Sequence, residues 1–321
     1  MDRMLTGIDR RRSGEHRGGS KLWAWIALIT VYIVWGSTTV AIRVGVREVP
    51  PLLFSGVRYA LAGAILFPFA LRSGGSAARE ADRMRPRHWL SSAVIGVLLI
   101  GIGQGGVSVA EVHLDAGLTA VLMATIAIWM MLFAAIGSRT WPRWWHVLGA
   151  SVGLFGVSRL VAGPSLNGEL DSVGLAMISA IAWGLGSVLA ATIPLPKRAL
   201  VSAAMQMMVG GAVLTCEAAI GGEFGRIEFD GIGPGSWIAF AWLVIAGSMI
   251  AYSAYSYALS HLPMPTVSTY VYVNPLVAVV LGVVMLGEKV GPRELVGSAI
   301  IVAAVALTLY GPRDRTRTLP N

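Results

Sequence analysis

The apolar residues of the chain are gathered into blocks of about twenty, and this feature limits the fold more than any other. Of the 321 residues 55% are hydrophobic and 13% charged, and short basic or Pro/Gly-rich segments separate the blocks. About 18 consecutive apolar residues suffice for a helix to cross the hydrocarbon core of a bilayer. A soluble core would not need so many blocks of this length. We therefore expect an all-α integral membrane protein that crosses the lipid bilayer many times.

The blocks predict ten transmembrane helices joined by short connections, with no soluble domain. In the first half of the chain the predicted spans are 22–42, 52–71, 89–112, 116–137 and 147–163. In the second half they are 173–193, 199–222, 236–260, 266–286 and 295–311. This divides the chain into a basic uncleaved tail at 1–21, a five-helix unit at 22–163, a second unit at 164–311 and a tail at 312–321.

The net charge of +8 is explained by orientation in the membrane rather than by nucleic acid. Most of the 25 Lys and Arg residues fall in tails and connections that share one side if the N-terminus is cytoplasmic. Because cytoplasmic connections carry an excess of basic residues, the pattern predicts that both termini are inside. The single cysteine, Cys216, excludes an intramolecular disulfide and any metal site built from cysteines. We expect no nucleic-acid partner, no metal and no cofactor.

The two halves repeat each other at a constant offset of 148 residues. The matches are Trp35-Gly36 with Trp183-Gly184, Arg58 with Gln206, Ala110 with Ala258, and His113-Leu114 with His261-Leu262. Since each unit contains an odd number of spans, the second must enter the membrane in the opposite orientation. The repeat is therefore predicted to be inverted.

The ninth span carries a polar interruption, Asn274-Pro275, in the middle of an apolar run. Proline removes a backbone donor, which a membrane helix tolerates only against protein or a wet cavity. Tyr270 lies four residues before Asn274, on the same helical face. The span is therefore interpreted as a cavity wall. The alternative is a kinked packing helix with its tyrosines at an interface.

Other polar and aromatic side chains within spans are candidates for the same cavity. Arg58 and Glu111 are charges that cost free energy in lipid unless paired or hydrated, so we expect them to pair or to face an outer vestibule, as substrate ligands or as an architectural ion pair. Gln104 and Gln206 should face the bundle, either to contact substrate or to bridge helices. Tyr252 and Tyr255 share one face and could join the cavity, although such a stripe is often only packing.

The order and spacing of four segments resemble the EamA family of the drug/metabolite transporter superfamily, and most of all its YedA-like branch. The segments are Trp35-Gly36-Ser37-Thr38, Pro50-Pro51 with Arg58, Val109-Ala110-Glu111 with Ala116-Gly117-Leu118, and Tyr272-Val273-Asn274-Pro275 with Gly287-Glu288. The resemblance implies an inner-membrane exporter or permease of small metabolites such as amino acids. Two positions depart from the family pattern, because Ala127 replaces its usual proline and Ser138 its usual glutamate.

The sequence thus predicts a carrier in which two inverted repeats enclose a cavity at the membrane midplane and expose it alternately to either side. Its partners would be a small-molecule substrate, the bilayer and, as a coupling ion, the proton through Glu111 or Glu217. The expected cavity residues are Trp35, Gly36, Ser37, Arg58, Gln104, Glu111, Trp183, Gln206, Tyr252, Tyr255, Tyr270, Asn274 and Pro275. A membrane scaffold or sensor is the alternative. An integral membrane enzyme is less favoured, because no HExxH, Walker or nucleophile-elbow motif is present.

Overall fold

A computed structural model describes residues 2–73, 85–114, 116–161, 170–286 and 291–310. Within these ranges the chain is helical almost throughout and contains no β-strand, which confirms the predicted all-α class. Gly287 and Glu288 of the quoted motif, and the tail at 312–321, lie outside the described residues.

The helices are numbered α1 to α10 in chain order, and consecutive helical pieces are grouped under one number. In the first half α1 is Asp2–Gly45, α2 is Pro51–Arg72, α3 is Pro86–Ala110, α4 comprises Ala116–Ala124 and Ile126–Ser138, and α5 is Trp144–Val161. In the second half α6 is Leu170–Thr192, α7 is Ala199–Ile220, α8 is Pro234–His261, α9 comprises Met264–Ser268 and Tyr270–Leu286, and α10 is Pro292–Tyr310.

Eight of these helices are long and apolar enough to cross a bilayer. The remaining two, α5 and α10, lie where the fifth and tenth spans are predicted, and Leu295–Tyr310 is a shorter apolar helix. In α1 the apolar window is Lys21–Thr38, although the helix itself begins at Asp2 and runs through the predicted tail. The chain is therefore a multi-pass membrane protein, and the count of ten crossings stays a prediction.

The helix packing has a two-fold pattern in which α1 corresponds to α6, α2 to α7 and so on. Where two helices pack extensively, their two counterparts also pack together. Helices α2 and α7 pack extensively on each other, and so do α5 and α10. Helix α1 packs on α8 and α9, and correspondingly α6 packs on α3 and α4. This divides the centre into an α1–α8–α9 group and an α3–α4–α6 group.

The close approach of α2 and α7 depends on glycines at related positions. A Cβ on Gly63 would lie 2.6 Å from the backbone nitrogen of Met208, and one on Gly211 would collide with the backbone of Ala60. Both contacts map onto each other at the 148-residue offset. Small residues at an interface let membrane helices approach closely enough for backbone contact.

Polar contacts fix the α2–α7 pair at both ends. Arg198, just before α7, donates from Nη1 to the carbonyl oxygens of Ala70 and Ser73 at 2.8 and 2.7 Å, and so caps the end of α2. At the other end the backbone N–H of Leu53 donates to Oε2 of the buried Glu223 at 2.7 Å. Since both termini of α2 are held by the segments that flank α7, the two helices form one unit.

A second carboxylate joins the connection after α1 to the segment before α8. The backbone N–H of Gly233 donates to Oε2 of Glu48 at 2.9 Å. Hydrogen bonds from Ser236 and, second, from Gly233 lower the pKa of the exposed Glu48 below its ordinary value. Glu48 is therefore ionised at neutral pH, and this contact is lost only in acid, as the pH falls through the lowered pKa.

Two helices contain a wider turn at related places. Val97–Gly105 in α3 and Leu243–Ile250 in α8 are π-helical, and 97–102 corresponds to 245–250 at the same offset. Such π-helical turns are rare and occur frequently at functional sites.

Candidate functional site

Four aromatic rings meet where the two central helix groups touch. They are Trp35 of α1, Trp183 of α6, Tyr255 of α8 and Tyr270 of α9. The ring centroid of Trp35 lies 5.8 Å from Trp183, 5.1 Å from Tyr255 and 5.3 Å from Tyr270. The geometry is edge-to-face or tilted throughout, as aromatic pairs prefer. This aromatic cluster contains four of the predicted cavity residues, and its rings fill the space between them.

Hydrogen bonds fix the orientation of these rings. The hydroxyl of the fully buried Tyr255 accepts from Trp183 Nε1 at 3.3 Å and shares a 2.6 Å hydrogen bond with Ser187 Oγ. Trp35 Nε1 donates at 3.0 Å to the carbonyl oxygen of Gly247, inside the π-helical turn of α8. Ser187 was not predicted from the sequence, although its position four residues after Trp183 places both on one helical face.

A second polar group lies beside the cluster, on α7 and α8. The Tyr252 hydroxyl donates to Oε1 of Gln206 at 2.9 Å, and Nε2 of Gln206 donates to Ser202 Oγ at 2.9 Å. The ring of Tyr252 lies 6.4 Å from that of Tyr255 and 6.3 Å from that of Tyr59 on α2. Gln206 therefore bridges helices, which is one of its two predicted roles. Tyr59 is a further aromatic residue that the sequence did not single out.

Three polar side-chain atoms of α9 are buried without a hydrogen-bond partner among the described residues. They are the hydroxyls of Tyr270 and Tyr272 and Oδ1 of Asn274. Pro275 lies inside the helix, as predicted, next to Asn274. A Cβ on Gly36 would lie 3.2 Å from the Asn274 carbonyl oxygen, so α1 packs directly on this turn. Because an unpaired buried polar group costs about 1–3 kcal/mol, these atoms require an explanation beyond packing.

Arg58 and Glu111, which were predicted either to pair or to face an outer vestibule, have different surroundings. Arg58 is buried, with 4% of its surface exposed, and its Cζ lies 4.4 Å from the centre of the Tyr59 ring. Glu111 follows the last residue of α3 and is exposed. Pairing and a shared outer vestibule both stay predictions for these two residues.

The remaining candidates lie at the margins of the cluster. Ser37 is half-buried and donates to the Val34 carbonyl oxygen of its own helix at 2.7 Å. Gln104 is half-buried on α3, in the π-helical turn. The structure thus brings together Trp35, Gly36, Trp183, Gln206, Tyr252, Tyr255, Tyr270, Asn274 and Pro275.

Comparison with known proteins gives consistent matches over nearly the whole chain. The model of the "EamA-like transporter family" matches twice, over residues 22–162 and 172–310. The "Uncharacterized inner membrane transporter YedA" of Escherichia coli strain K12 is 35% identical over 288 residues, which cover 89% of this chain and 90% of that protein. A "Probable terminal-alkyne amino-acid exporter" of Streptantibioticus cattleyicolor is 26% identical and covers 88% of this chain and 92% of its own.

A solved structure supports the fold independently. A crystal structure of a protein that is 19% identical superposes with a TM-score of 0.72 and covers 91% of this chain and 98% of its own. The family model matches both halves of the chain, and both halves contribute residues to the aromatic cluster. This chain therefore belongs to the EamA-like transporter family of the drug/metabolite transporter superfamily and is a multi-pass protein of the cell membrane.

Proposed function

We propose that this protein is a carrier that exports small metabolites by exposing a central site alternately to the two sides of the membrane. One observation carries the proposal. The aromatic cluster joins two helix groups at their contact, and beside it lie the unpartnered hydroxyl of Tyr270 and Oδ1 of Asn274. Polar groups in the membrane interior are costly and mark substrate pathways, so their natural partner is a cargo molecule.

The cluster divides along the contact between the helix groups. Trp35, Tyr255 and Tyr270 belong to the α1–α8–α9 group, whereas Trp183 and Ser187 belong to the α3–α4–α6 group. A cargo would enter by separating Trp183 from Trp35 and by replacing the hydrogen bonds to the Tyr255 hydroxyl. The predicted midplane cavity would then open through the relative motion of the groups.

The alternating mechanism is supported by the relation between the halves. Packing partners recur at the 148-residue offset, and the family model matches each half separately. Inverted repeats can exchange their conformations, so that one rocking motion opens the site first to one side and then to the other. We propose ten spans with both termini in the cytoplasm, on the distribution of basic residues.

The cargo is proposed to be amphipathic and of amino-acid size. Tryptophan and tyrosine rings offer apolar surface, and the hydroxyl and amide groups beside them offer hydrogen bonds. A relative is named an amino-acid exporter, which agrees with this class. If export is coupled to protons, Glu217, half-buried on α7, and Glu111 are the groups that would carry them.

The direct test is export and counterflow. Cells that overproduce the protein are compared with cells that lack it to find the exported metabolite, and counterflow of that labelled compound is then measured in proteoliposomes. Trp35→Ala and Asn274→Ala should reduce counterflow at least tenfold, because they remove cargo contacts at the centre. Trp141→Ala is the control, since this ring is 84% exposed. Unchanged counterflow in both central variants would contradict the assigned site.

One observation favours the alternative, a non-transporting scaffold or sensor. The rings of the aromatic cluster contact each other directly at centroid distances of 5.1 to 6.2 Å, so the centre is closed in this conformation. A scaffold would keep it closed. An enzymatic role has no comparable support. Counterflow by the wild-type protein excludes a scaffold, and its absence for every compound from the export comparison excludes a carrier.

A further inference from the structure

The buried side chain of Arg58 is not fully satisfied by contacts with the described residues. Only 4% of the residue is exposed, and Nε has no hydrogen-bond partner. The ring of Tyr59 below it supplies a cation–π contact but no negative charge. A charge within an apolar helix is costly unless an opposite charge or water meets it.

The related position in the second half shows what a purely architectural residue does there. Gln206 corresponds to Arg58, and Tyr252 corresponds to Gln104, at the 148-residue offset. Gln206 accepts from Tyr252 and donates to Ser202, so its amide is satisfied on both atoms. In the first half neither Arg58 nor the side chain of Gln104 makes a hydrogen bond to any described residue. Internal hydrogen bonds therefore satisfy this position in the second half, whereas in the first half its two side chains make none to the described residues.

Arg58 and Gln104 lie on facing surfaces of α2 and α3. The hydroxyls of Ser55 and Ser108 are 3.4 Å apart, and the rings of Phe67 and Trp89 are 5.7 Å apart. These two contacts show that the helices run antiparallel. Arg58 lies one turn beyond Ser55, and Gln104 lies one turn beyond Ser108 in the same direction. Both side chains are thus at one level of the bundle.

We propose that Arg58 and Gln104 form a subsite for a carboxylate. The guanidinium offers a planar fork of N–H donors that matches a carboxylate, and the amide of Gln104 offers a third donor. The rings of Tyr59, Tyr252 and Tyr255 lead from this point to the aromatic cluster. The inference rests on the proposed carrier function in one respect, because it makes the cargo an organic carboxylate with an apolar or aromatic body.

The test uses the full-length protein purified in detergent and 3-phenylpropionate as the probe. Its melting temperature is measured against probe concentration, with 3-phenylpropionamide and sodium chloride at equal ionic strength as references. The carboxylate should raise the melting temperature saturably and the neutral amide should not. Arg58→Gln should weaken the apparent affinity at least tenfold, and Arg58→Lys should weaken it less because it keeps the charge.

Two further variants keep the result interpretable. Arg159→Gln removes a charge from an exposed position of α5 and should leave the affinity unchanged. Gln104→Ala should weaken it severalfold, and it serves as the test if Arg58→Gln does not give a monodisperse protein. An equal response of the wild-type protein to the acid and to its amide would overturn the subsite. So would a saturable shift that survives both Arg58→Gln and Gln104→Ala.

Counterflow of labelled 3-phenylpropionate in proteoliposomes separates this inference from the proposed function. Saturable stabilisation without exchange would support the subsite and contradict the carrier. Exchange of a metabolite by a protein that does not distinguish the carboxylate from its amide would support the carrier and overturn the subsite. Exchange that Arg58→Gln reduces at least tenfold supports both.

Discussion

The Tyr255 hydroxyl makes hydrogen bonds across the contact between the two central helix groups. It is fully buried, and it binds both Ser187 and the indole of Trp183. Ser187 has a second acceptor in the Trp183 carbonyl oxygen at 2.6 Å, but the Trp183 indole has none in the described residues. Loss of this hydroxyl would therefore leave mainly the Trp183 N–H without a hydrogen-bond partner.

Tyr255→Phe should lower the free energy of unfolding by roughly 1 kcal/mol, because it leaves the buried Trp183 N–H without an acceptor. Thermal unfolding in detergent measures the change. Tyr257→Phe is the matched control, since that half-buried tyrosine of the same helix contacts His261 through its ring rather than through its hydroxyl. Equal melting temperatures for the wild-type protein and Tyr255→Phe would show that the hydroxyl contributes nothing to joining the groups.

Single residues also show where sequence reasoning succeeds and fails. Tyr270, Asn274 and Pro275 were identified because an interruption in an apolar run is a local signal. The relation between Arg58 and Glu111 stays a prediction, because depth along two helices says nothing about the direction in which each side chain points. Ser187 and Tyr59 carried no distinct signal, since a serine or tyrosine in a membrane helix is common and only the packing partner makes it important.

At the scale of helices, the two glycines of the repeated Trp-Gly pair make equivalent contacts. A Cβ on Gly36 would lie 2.6 Å from Val277 on α9, and one on Gly184 would lie 2.7 Å from Trp129 on α4. Val277 and Trp129 are themselves related by the 148-residue offset. Each glycine therefore allows its helix to approach the partner helix of its own central group.

Gly36→Ala and Gly184→Ala should each destabilise the protein by about 1–3 kcal/mol, because an added methyl group forces tightly packed helices apart. They should also slow counterflow, since both positions neighbour the aromatic cluster. Gly174→Ala, on the same helix as Gly184, has no atom within 4 Å of the new methyl group and should be neutral. Melting temperatures of the three variants decide the matter. Equal melting temperatures for Gly184→Ala and Gly174→Ala would contradict the close packing.

The helices themselves were largely predictable, whereas their partners were not. Hydropathy is a local property, so the apolar blocks predicted where helical segments fall. The packing of α2 on α7 joins residues about 150 positions apart, and in the sequence only the glycines indicate it. The π-helical turns of α3 and α8 could not be predicted, because they lie in ordinary apolar sequence and depend on the helices that pack around them.

At the scale of the whole molecule, orientation is the property on which every assignment of sides depends. Lys197 lies in the exposed connection before α7, and Arg226 lies in the exposed connection after it. The distribution of basic residues predicts that the first connection is cytoplasmic and the second is outside. Cys216, the single cysteine, can be replaced by serine to give a background without reactive thiols.

In that background, Arg226→Cys should react with a membrane-impermeant maleimide in right-side-out vesicles, and Lys197→Cys should react only after the membrane is permeabilised. Labelling is read by mass shift. The Cys216→Ser protein is the control for background reaction. Immediate labelling at position 197, or none at position 226 in intact vesicles, would contradict the predicted orientation.

The fixation of α2 and α7 to each other at both termini has a mechanical consequence. A helix pair that is held together at both ends resists bending, so in the proposed transport cycle we expect deformation to concentrate in neighbouring segments. We expect those segments to be the π-helical turns of α3 and α8, both of which contact this pair. In the proposed carrier the two turns would act as matched hinges, and a difference between their side chains would set which side of the membrane the resting protein faces.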